Sequence, residues 1–316
     1  MPSTTFRDYA GPEDLRAMQA LVQACWRRTS HLHIGDLAWQ RYPRAPSADW
    51  PTRLWFSGED VVAWAWSWRE ADADDDADQF YILVRPDHAA LYDEVLDWAE
   101  ATNPGKSLGT IAFEHDTLLV QALARRGYRP RQRGPFGLHT FRNLADIPEP
   151  ILPPGFKVLS MVEIGDVERK VAGHRASWSR FANYDAADPP LVSGMTAERY
   201  RDTMRTWPYR PELDFGVEGP GGPIVASCTT WLDDVNRIGL FEPVGVDPEF
   251  RRLGLSRAMC FAALRALRQA GATLATVKPR GDDAYPVPRH AYGTMGFVSE
   301  GAQKVYVQAA RNRERA

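Results

Sequence analysis

The chain contains few cysteines: only Cys25, Cys228 and Cys260 occur among its 316 residues, and they stand far apart. Their spacing matches no metal-ligand motif, and an odd number cannot all form pairs. His31 and His33 have no third ligand at a suitable spacing, so we expect no metal site. Sparse, widely separated cysteines favour a reducing compartment, which predicts a cytoplasmic protein.

Long apolar runs and an excess of one charge are also missing. No stretch approaches the roughly 20 apolar residues that cross a membrane. The opening residues, MPSTTFRDYA, lack the basic and apolar regions of a signal peptide. The net charge is −3 and the isoelectric point is about 6.2. We therefore expect neither nucleic acid nor a membrane surface as a partner.

The composition that remains supports two folded domains. Hydrophobic residues make up 44% of the chain and charged residues 25%, which suffices for packed cores. Residues 143–156 contain four prolines, at positions 148, 150, 153 and 154, and predict a stiff linker. The sequence thus predicts one domain over residues 1–148 and a second over residues 149–316.

The two halves repeat one order of elements. Each runs strand, helix, helix, three strands, helix, strand, helix, strand, to judge from apolar periodicity and turn residues. This order predicts a mixed α/β (α+β) fold in which each domain has a central mixed β-sheet flanked by helices.

The segment VGVDPEFRRLGLSRAM, residues 244–259, joins a strand to an amphipathic helix through two arginines and a glycine. Unpaired amides and the dipole make such a helix start attractive to anions, and glycine allows a phosphate to approach closely. An ordinary helix start with solvent-facing arginines explains the same residues equally well. The dinucleotide motif G-x-G-x-x-G is absent.

Two motifs resemble those of the GCN5-related N-acetyltransferases. VGVDPEFRRLGLS resembles the acyl-CoA signature V-x-V-x-P-x-x-[RQ]-x-x-G-x-[GA], with Arg251, Gly254 and Ser256 at its key positions. Ser256 departs from the usual Gly or Ala but is small. AYGTMGF resembles the second motif Y-x-x-x-G-F, with Tyr292 at its start. The element order of both halves fits a tandem pair of such domains.

The resemblance implies acetyl-CoA as the cofactor. The strand backbone would bind the pantetheine arm, the loop and helix start would bind the diphosphate, and the Val244 amide would serve the thioester oxygen. Tyr285 occupies a position where many members of the family carry Asn. The implied cofactor-binding residues are Val244, Gly245, Val246, Arg251, Arg252, Leu253, Gly254, Leu255, Ser256 and Arg257.

The first half lacks these features. Aligning Pro86 with Pro248 places Ala89, Tyr92 and Glu94 at the positions of the signature arginine, glycine and small residue. A bulky ring blocks close backbone approach, and a carboxylate repels a diphosphate. We expect the first domain to be a degenerate copy without an acyl-CoA site, which packs on the second domain.

Two residues are candidates for the proton transfers of acetyl transfer. Glu242 is the candidate base, because an acid in an apolar strand is costly unless it is used or paired, and the family often places its base here. We expect Leu240, Glu242, Val244 and Val246 to share a strand face, and Pro243 to mark a bulge. Tyr292 is the candidate acid. The alternatives are a structural carboxylate and a core tyrosine.

A cationic acceptor would suit aromatic and acidic residues near the site. The second-half residues that the resemblance places in the acceptor cleft are Trp178, Tyr184, Asp185, Trp231, Asp233 and Asp234. The resemblance therefore implies an enzyme, an acyltransferase that moves acetyl from acetyl-CoA to a primary amine of a small molecule by direct attack; we expect a monomer or homodimer. The alternatives are a CoA-binding regulatory or scaffold protein without turnover, or a transferase with another acyl or aminoacyl donor.

Overall fold

The computed structural model describes residues 4–27, 30–41, 50–68, 77–103, 107–179 and 193–308. The element order follows the predicted one except for an additional two-residue strand (Arg129–Pro130) in the first half and an additional four-residue helix (Met161–Ile164) in the second, and the mixed α/β class is confirmed. The first half contains β1 (Thr4–Asp8), α1 (Pro12–Cys25), α2 (Ile34–Arg41), β2 (Thr52–Ser57), β3 (Asp60–Trp68), β4 (Ala77–Val84), α3 (Tyr92–Thr102), β5 (Ser107–Phe113), α4 (Thr117–Arg125), β6 (Arg129–Pro130) and β7 (Gly137–Asn143). The second contains β8 (Lys157–Ser160), α5 (Met161–Ile164), α6 (Val167–Ser177), α7 (Ala197–Met204), β9 (Asp214–Glu218), β10 (Ile224–Asp233), β11 (Ile238–Val246), α8 (Leu255–Gln269), β12 (Leu274–Val277), α9 (Val287–Thr294) and β13 (Val298–Gln308).

The contacts divide the chain into two compact units that do not follow the predicted boundary at residue 148. Unit 1 comprises the described parts of Met1–His33, Ala48–Gly137 and Gly301–Ala316. Unit 2 comprises those of Ile34–Ser47 and Leu138–Glu300. Helix α2 and strand β7 of the first half therefore belong to unit 2, whereas most of β13 belongs to unit 1.

Unit 1 contains a mixed sheet in the order β1-β2-β3-β4-β5-β13. Strand β4 runs parallel to β5, and the other neighbours in this series are antiparallel. The part of β13 in this unit pairs with β5, with Val305 opposite Ile111. The first unit thus takes its last strand from the second half of the sequence.

Unit 2 contains the sheet β7-β12-β11-β10-β9-β8. Strand β7 of the first half pairs antiparallel with β12, with Phe141 opposite Thr276. Strand β12 runs parallel to β11, and the remaining neighbours are antiparallel. Each half of the sequence therefore supplies the strand that extends the other unit's sheet.

The core of unit 2 lies between its sheet and helix α8. The predicted apolar face of α8 is buried through Leu255, Met259 and Leu267, which pack in one cluster with strand residues such as Phe241. The proline-rich segment after β7 forms no helix or strand and packs against this core through Leu144 and Ile147. It is thus anchored to unit 2. In the part of the chain that the structure describes, every helix is too short or too polar to cross a membrane.

Candidate functional site

The turn that leads into α8 holds its backbone in left-handed conformations. Arg252 has φ 64° and Gly254 has φ 78°, which only glycine adopts at little cost. Among the described residues no side chain caps α8, and the first of its amides to donate a hydrogen bond is that of Ala258, which donates to the Gly254 carbonyl at 3.0 Å. The preceding amides and the positive end of the helix dipole suit an anion.

The strand before this turn extends beyond its parallel neighbour, because β12 ends at Val277. The pairing of β11 with β12 extends only to Leu240, opposite Thr276, although β11 continues to Val246. The Asp247 amide donates to Val225 of β10 at 2.9 Å. Because successive amides of a strand alternate in direction, those of Val246 and Val244 point away from β10, into the gap. This is the backbone arrangement that the resemblance implies for the pantetheine arm.

A β-bulge interrupts β11 at the predicted place. Cys228 pairs with Val244 and Thr230 with Phe241, so Glu242 and Pro243 together oppose the single residue between them on β10. The extra residue shifts the alternation of side chains.

The expectation of one shared strand face is therefore wrong. Leu240 packs in a cluster with Trp231 and Val171. Val244 and Val246 instead pack against the cluster that contains Phe241 and helix α8. The bulge that the proline predicts is the physical reason, because it moves the later valines to the opposite side of the sheet.

The end of β11, the turn that leads into α8 and helix α9 line one cavity of about 750 Å³. It is lined by every implied cofactor-binding residue except Leu253, whose exposed fraction is 45%. The remaining lining residues come from the end of α6, the turn after β11, and α9 with the segment before it: Ser177, Trp178, Phe250, Tyr285, Val287, Pro288, Ala291, Tyr292, Thr294 and Met295. Positive guanidinium groups at positions 251, 252 and 257 thus stand beside the open helix start.

Tyr292 lies on α9, is one of the residues that line the cavity, and is 8% exposed; it also belongs to the core cluster of unit 2. Its ring meets that of Phe297 edge-on at 5.6 Å between centroids. Burial raises the pKa of Tyr292 well above its ordinary value, and the nearby thiols of Cys260 and Cys228 and the Glu242 carboxylate raise it further. The phenol carries its proton at neutral pH, as a tyrosine of ordinary pKa about 10 also does, and the raised pKa makes it a weaker proton donor.

Glu242 is half-buried on β11 and is not part of the cavity lining. Its backbone carbonyl accepts a hydrogen bond from the Trp231 indole nitrogen at 2.7 Å. Its carboxylate contributes to the raised pKa of Tyr292, which places the candidate base and acid in the same electrostatic environment.

The two cysteines of this region are buried in the core of unit 2. Burial raises the pKa of Cys228 well above its ordinary value, and the neighbouring Cys260 contributes. A nucleophilic cysteine is an accessible thiolate, and neither of these buried thiols has that setting.

The predicted acceptor residues are found in different places. Trp178 lines the cavity. Tyr184 and Asp185 lie outside the described residues. Trp231 is fully buried in the cluster beneath α2, and Asp233 is fully buried as well.

Asp233 organises the turn between β10 and β11. Its carboxylate accepts hydrogen bonds from the Val235 and Asn236 amides at 3.1 and 3.0 Å, and from the Asn236 side chain at 2.8 Å. These hydrogen bonds give Asp233 a structural role, and packing in the core cluster gives Trp231 one. Neither role requires a bound substrate. Asp234 lies in the same turn and is exposed.

Sequence reasoning missed the contribution of α2 to unit 2. Trp39 packs against His174 and Trp231, with ring centroids at 5.7 and 6.5 Å. Asp36 forms an ion pair with Lys278, directly after β12. The one sequence signal for this contact is Trp39, a large aromatic residue in the short helix α2. No local pattern identifies the residues that it packs against.

The corresponding region of unit 1 is filled with side chains. Tyr92, which aligns with Gly254, is 4% exposed and packs in the unit 1 core. The Glu94 carboxylate accepts a hydrogen bond from the Trp55 indole at 2.7 Å. Both residues thus have structural partners at the place where unit 2 has its open loop.

Solved structures share this fold across the whole chain. A tandem GNAT protein from the clavulanic acid biosynthesis pathway is 16% identical, with a TM-score of 0.65, over 99% of this chain and 100% of that one. A GCN5-related N-acetyltransferase from Sphaerobacter thermophilus is 18% identical, with a TM-score of 0.59, over 98% and 96%. No family profile matches the chain.

Sequence relatives decide the family. A mycothiol acetyltransferase of Streptomyces bingchenggensis is 30% identical over 216 residues, which cover 64% of this chain and 67% of that protein. The chain belongs to the GCN5-related N-acetyltransferases. As a member of that superfamily it is an acyltransferase. A mycothiol acetyltransferase of Saccharomonospora viridis is 27% identical, but the alignment spans only 52% of its length.

Proposed function

We propose that the chain transfers acetyl from acetyl-CoA to a primary amine of a small molecule, and that the second half carries the reaction. One observation supports this most: a single cavity of about 750 Å³ joins the open start of α8, the end of β11 beyond its pairing with β12, and Tyr292 of α9. At the positions of unit 1 that align with the signature, Tyr92 is packed in the core and Glu94 is hydrogen-bonded to Trp55.

The cavity suits the chemical parts of coenzyme A. The amides before Ala258 and the guanidinium groups of the loop would bind the diphosphate. The Val246 amide and the backbone carbonyls of Val244 and Val246 would pair with the amide-containing arm as a further strand would, which leaves the Val244 amide for the thioester oxygen. The apolar residues of α9 would cover the arm. When bound, acetyl-CoA would supply the activated acetyl thioester.

Three groups of the chain would then act on the reacting atoms. The Glu242 carboxylate, directly or through water, would remove the proton from the attacking amine, whose ordinary pKa is about 10. The Val244 amide would donate to the carbonyl oxygen on which negative charge develops. The Tyr292 hydroxyl would donate its proton to the departing sulfur.

The acceptor is proposed as a small amine because Trp178, an aromatic side chain, lines the cavity. Two relatives are named for mycothiol, so mycothiol lacking its acetyl group belongs in the first panel of acceptors. Polyamines, amino sugars and amino acids complete the panel.

The test is release of the free thiol of CoA, followed with acetyl-CoA and each amine. Release that depends on one amine, with stoichiometric acetylated product, supports the proposal. Glu242→Gln should lower kcat at neutral pH by about 100-fold, while CoA affinity changes less than twofold. Binding of CoA without thiol release from any amine would favour a regulatory or scaffold protein. Release with another acyl-CoA alone would identify a different donor.

A further inference from the structure

Trp231 holds the backbone of the candidate base. Its side chain is fully buried, and its indole nitrogen donates to the Glu242 carbonyl at 2.7 Å. Glu242 sits in the bulge, where the regular ladder between β10 and β11 is interrupted. The indole therefore donates a hydrogen bond to the backbone of β11 at the bulge, where the regular pairing of β10 with β11 is interrupted.

Helix α2 supports this indole from the first half of the sequence. A Cβ atom on Gly35 would overlap the Trp231 side chain, with the ring atom Cδ1 only 2.8 Å away. The glycine thus lets the helix backbone lie directly against the ring. Trp39 contacts the same ring at 6.5 Å between centroids, and Tyr209 meets it edge-on at 6.2 Å.

We propose that Trp231 is a positioning residue for Glu242, and that α2 is the element of the first half that fixes Trp231. The inference rests on the proposed role of Glu242 as base. A bulge determines the direction of the side chain it carries. An indole that fixes the bulge carbonyl therefore fixes where the carboxylate points, and a small displacement of a catalytic group lowers the rate steeply.

This assignment gives the degenerate half a role in the reaction that needs no second CoA site. Trp231 does not line the cavity; its contact runs through the Glu242 backbone.

The experiment compares Trp231→Phe and Gly35→Ala in two backgrounds, Glu242 and Glu242→Gln. Trp231→Phe removes the N–H donor and keeps an aromatic ring, whereas Gly35→Ala displaces the ring and keeps the donor. Gly194→Ala is the matched control, because its Cβ would have its nearest contact at 3.6 Å. Each variant is measured for kcat, KM for acetyl-CoA, CoA affinity and thermal unfolding, below the temperature at which it begins to unfold.

We expect Trp231→Phe and Gly35→Ala to lower kcat by about 10- to 100-fold with Glu242 present, and KM for acetyl-CoA to change less than twofold. In the Glu242→Gln background the same changes should lower the residual kcat less than twofold, because a residue that acts through the carboxylate has nothing left to position.

Two results would overturn the inference, and they differ. In the first, Glu242→Gln lowers kcat, but Trp231→Phe and Gly35→Ala either lower kcat by the same factor in both backgrounds or lower it in neither background. Positioning by Trp231 is then wrong, while the base assignment stands. If Glu242→Gln retains full turnover, the base assignment itself fails and the inference falls with it. If Trp231→Phe does not fold, Gly35→Ala decides alone.

Discussion

Lys170 and Asp214 form an ion pair with both side chains fully buried, the ammonium nitrogen 2.7 Å from the Asp214 Oδ1 atom. Tyr200, Tyr209 and Thr229 donate to the same carboxylate at 2.5, 2.8 and 3.0 Å. Thr229 is the residue of β10 that faces the bulge. The pair thus ties α6 to the sheet next to the proposed base, with its charges compensated by hydrogen bonds.

Removing one partner should leave a buried charge without compensation. We expect Asp214→Ala to lower the free energy of unfolding by about 3–5 kcal/mol. Asp202→Ala is the control, because its pair with Arg205 is exposed and should contribute less than about 1 kcal/mol. Urea denaturation at pH 7 measures both. The double variant Lys170→Met, Asp214→Asn should be more stable than Asp214→Ala; equal losses for Asp202→Ala and Asp214→Ala would contradict the assignment.

His174 should make stability depend on pH. Its ring lies between those of Trp39 and Trp178, and its Nδ1 atom is buried without a hydrogen-bond partner among the described residues. Burial, helped by the charge of Lys170, lowers the pKa of His174 to about 3. In the unfolded chain the pKa is about 6.5, so between these values the unfolded state binds a proton that the folded state does not.

Stability from this residue is therefore complete above about pH 6.5 and is lost as the pH falls toward 3. Relative to His174→Phe, which keeps an aromatic ring, the native protein should lose about 2 kcal/mol of unfolding free energy between pH 7 and pH 5. Denaturant titrations of both proteins at the two pH values measure the difference. The same pH dependence in both proteins would show that His174 is protonated when folded.

The order of elements could be predicted because it depends on local patterns. Apolar periodicity in α8, the Pro–Arg–Gly sequence before it and the position of Pro243 each predict a feature that the structure contains. The signature residues likewise predict one site, since their backbone positions follow from the strand, turn and helix that carry them.

The rest depends on pairing between distant segments. Nothing near β7 or β13 in sequence shows that each pairs with a strand from the other half of the sequence. Helix α2 docks on Trp231 through Gly35, a contact that no local pattern encodes. A bulge can be predicted from a proline, but the reversal of the strand faces beyond it, at Val244, follows only once the register is known.

Gly254 should be essential for CoA binding. At φ 78° a non-glycine residue costs about 1–2 kcal/mol, and a glutamate would add a negative charge beside the proposed diphosphate site. We expect Gly254→Glu to weaken CoA binding by at least about 100-fold in calorimetry. Gly254→Ala, which changes conformation alone, should have a smaller effect, and Gly194→Ala none. Unchanged affinity in Gly254→Glu would move the diphosphate away from the start of α8.

Tyr92→Gly should not create a second CoA site in the first half. The substitution restores the signature glycine, but Glu94 stays bonded to Trp55 and Ala89 still stands where the signature has arginine. Calorimetry of the variant should give one CoA per chain, at the native affinity and with a lowered unfolding temperature, because Tyr92 fills the unit 1 core. In the double variant Tyr92→Gly, Gly254→Glu no binding should remain; binding there would show that the first half keeps a site of its own.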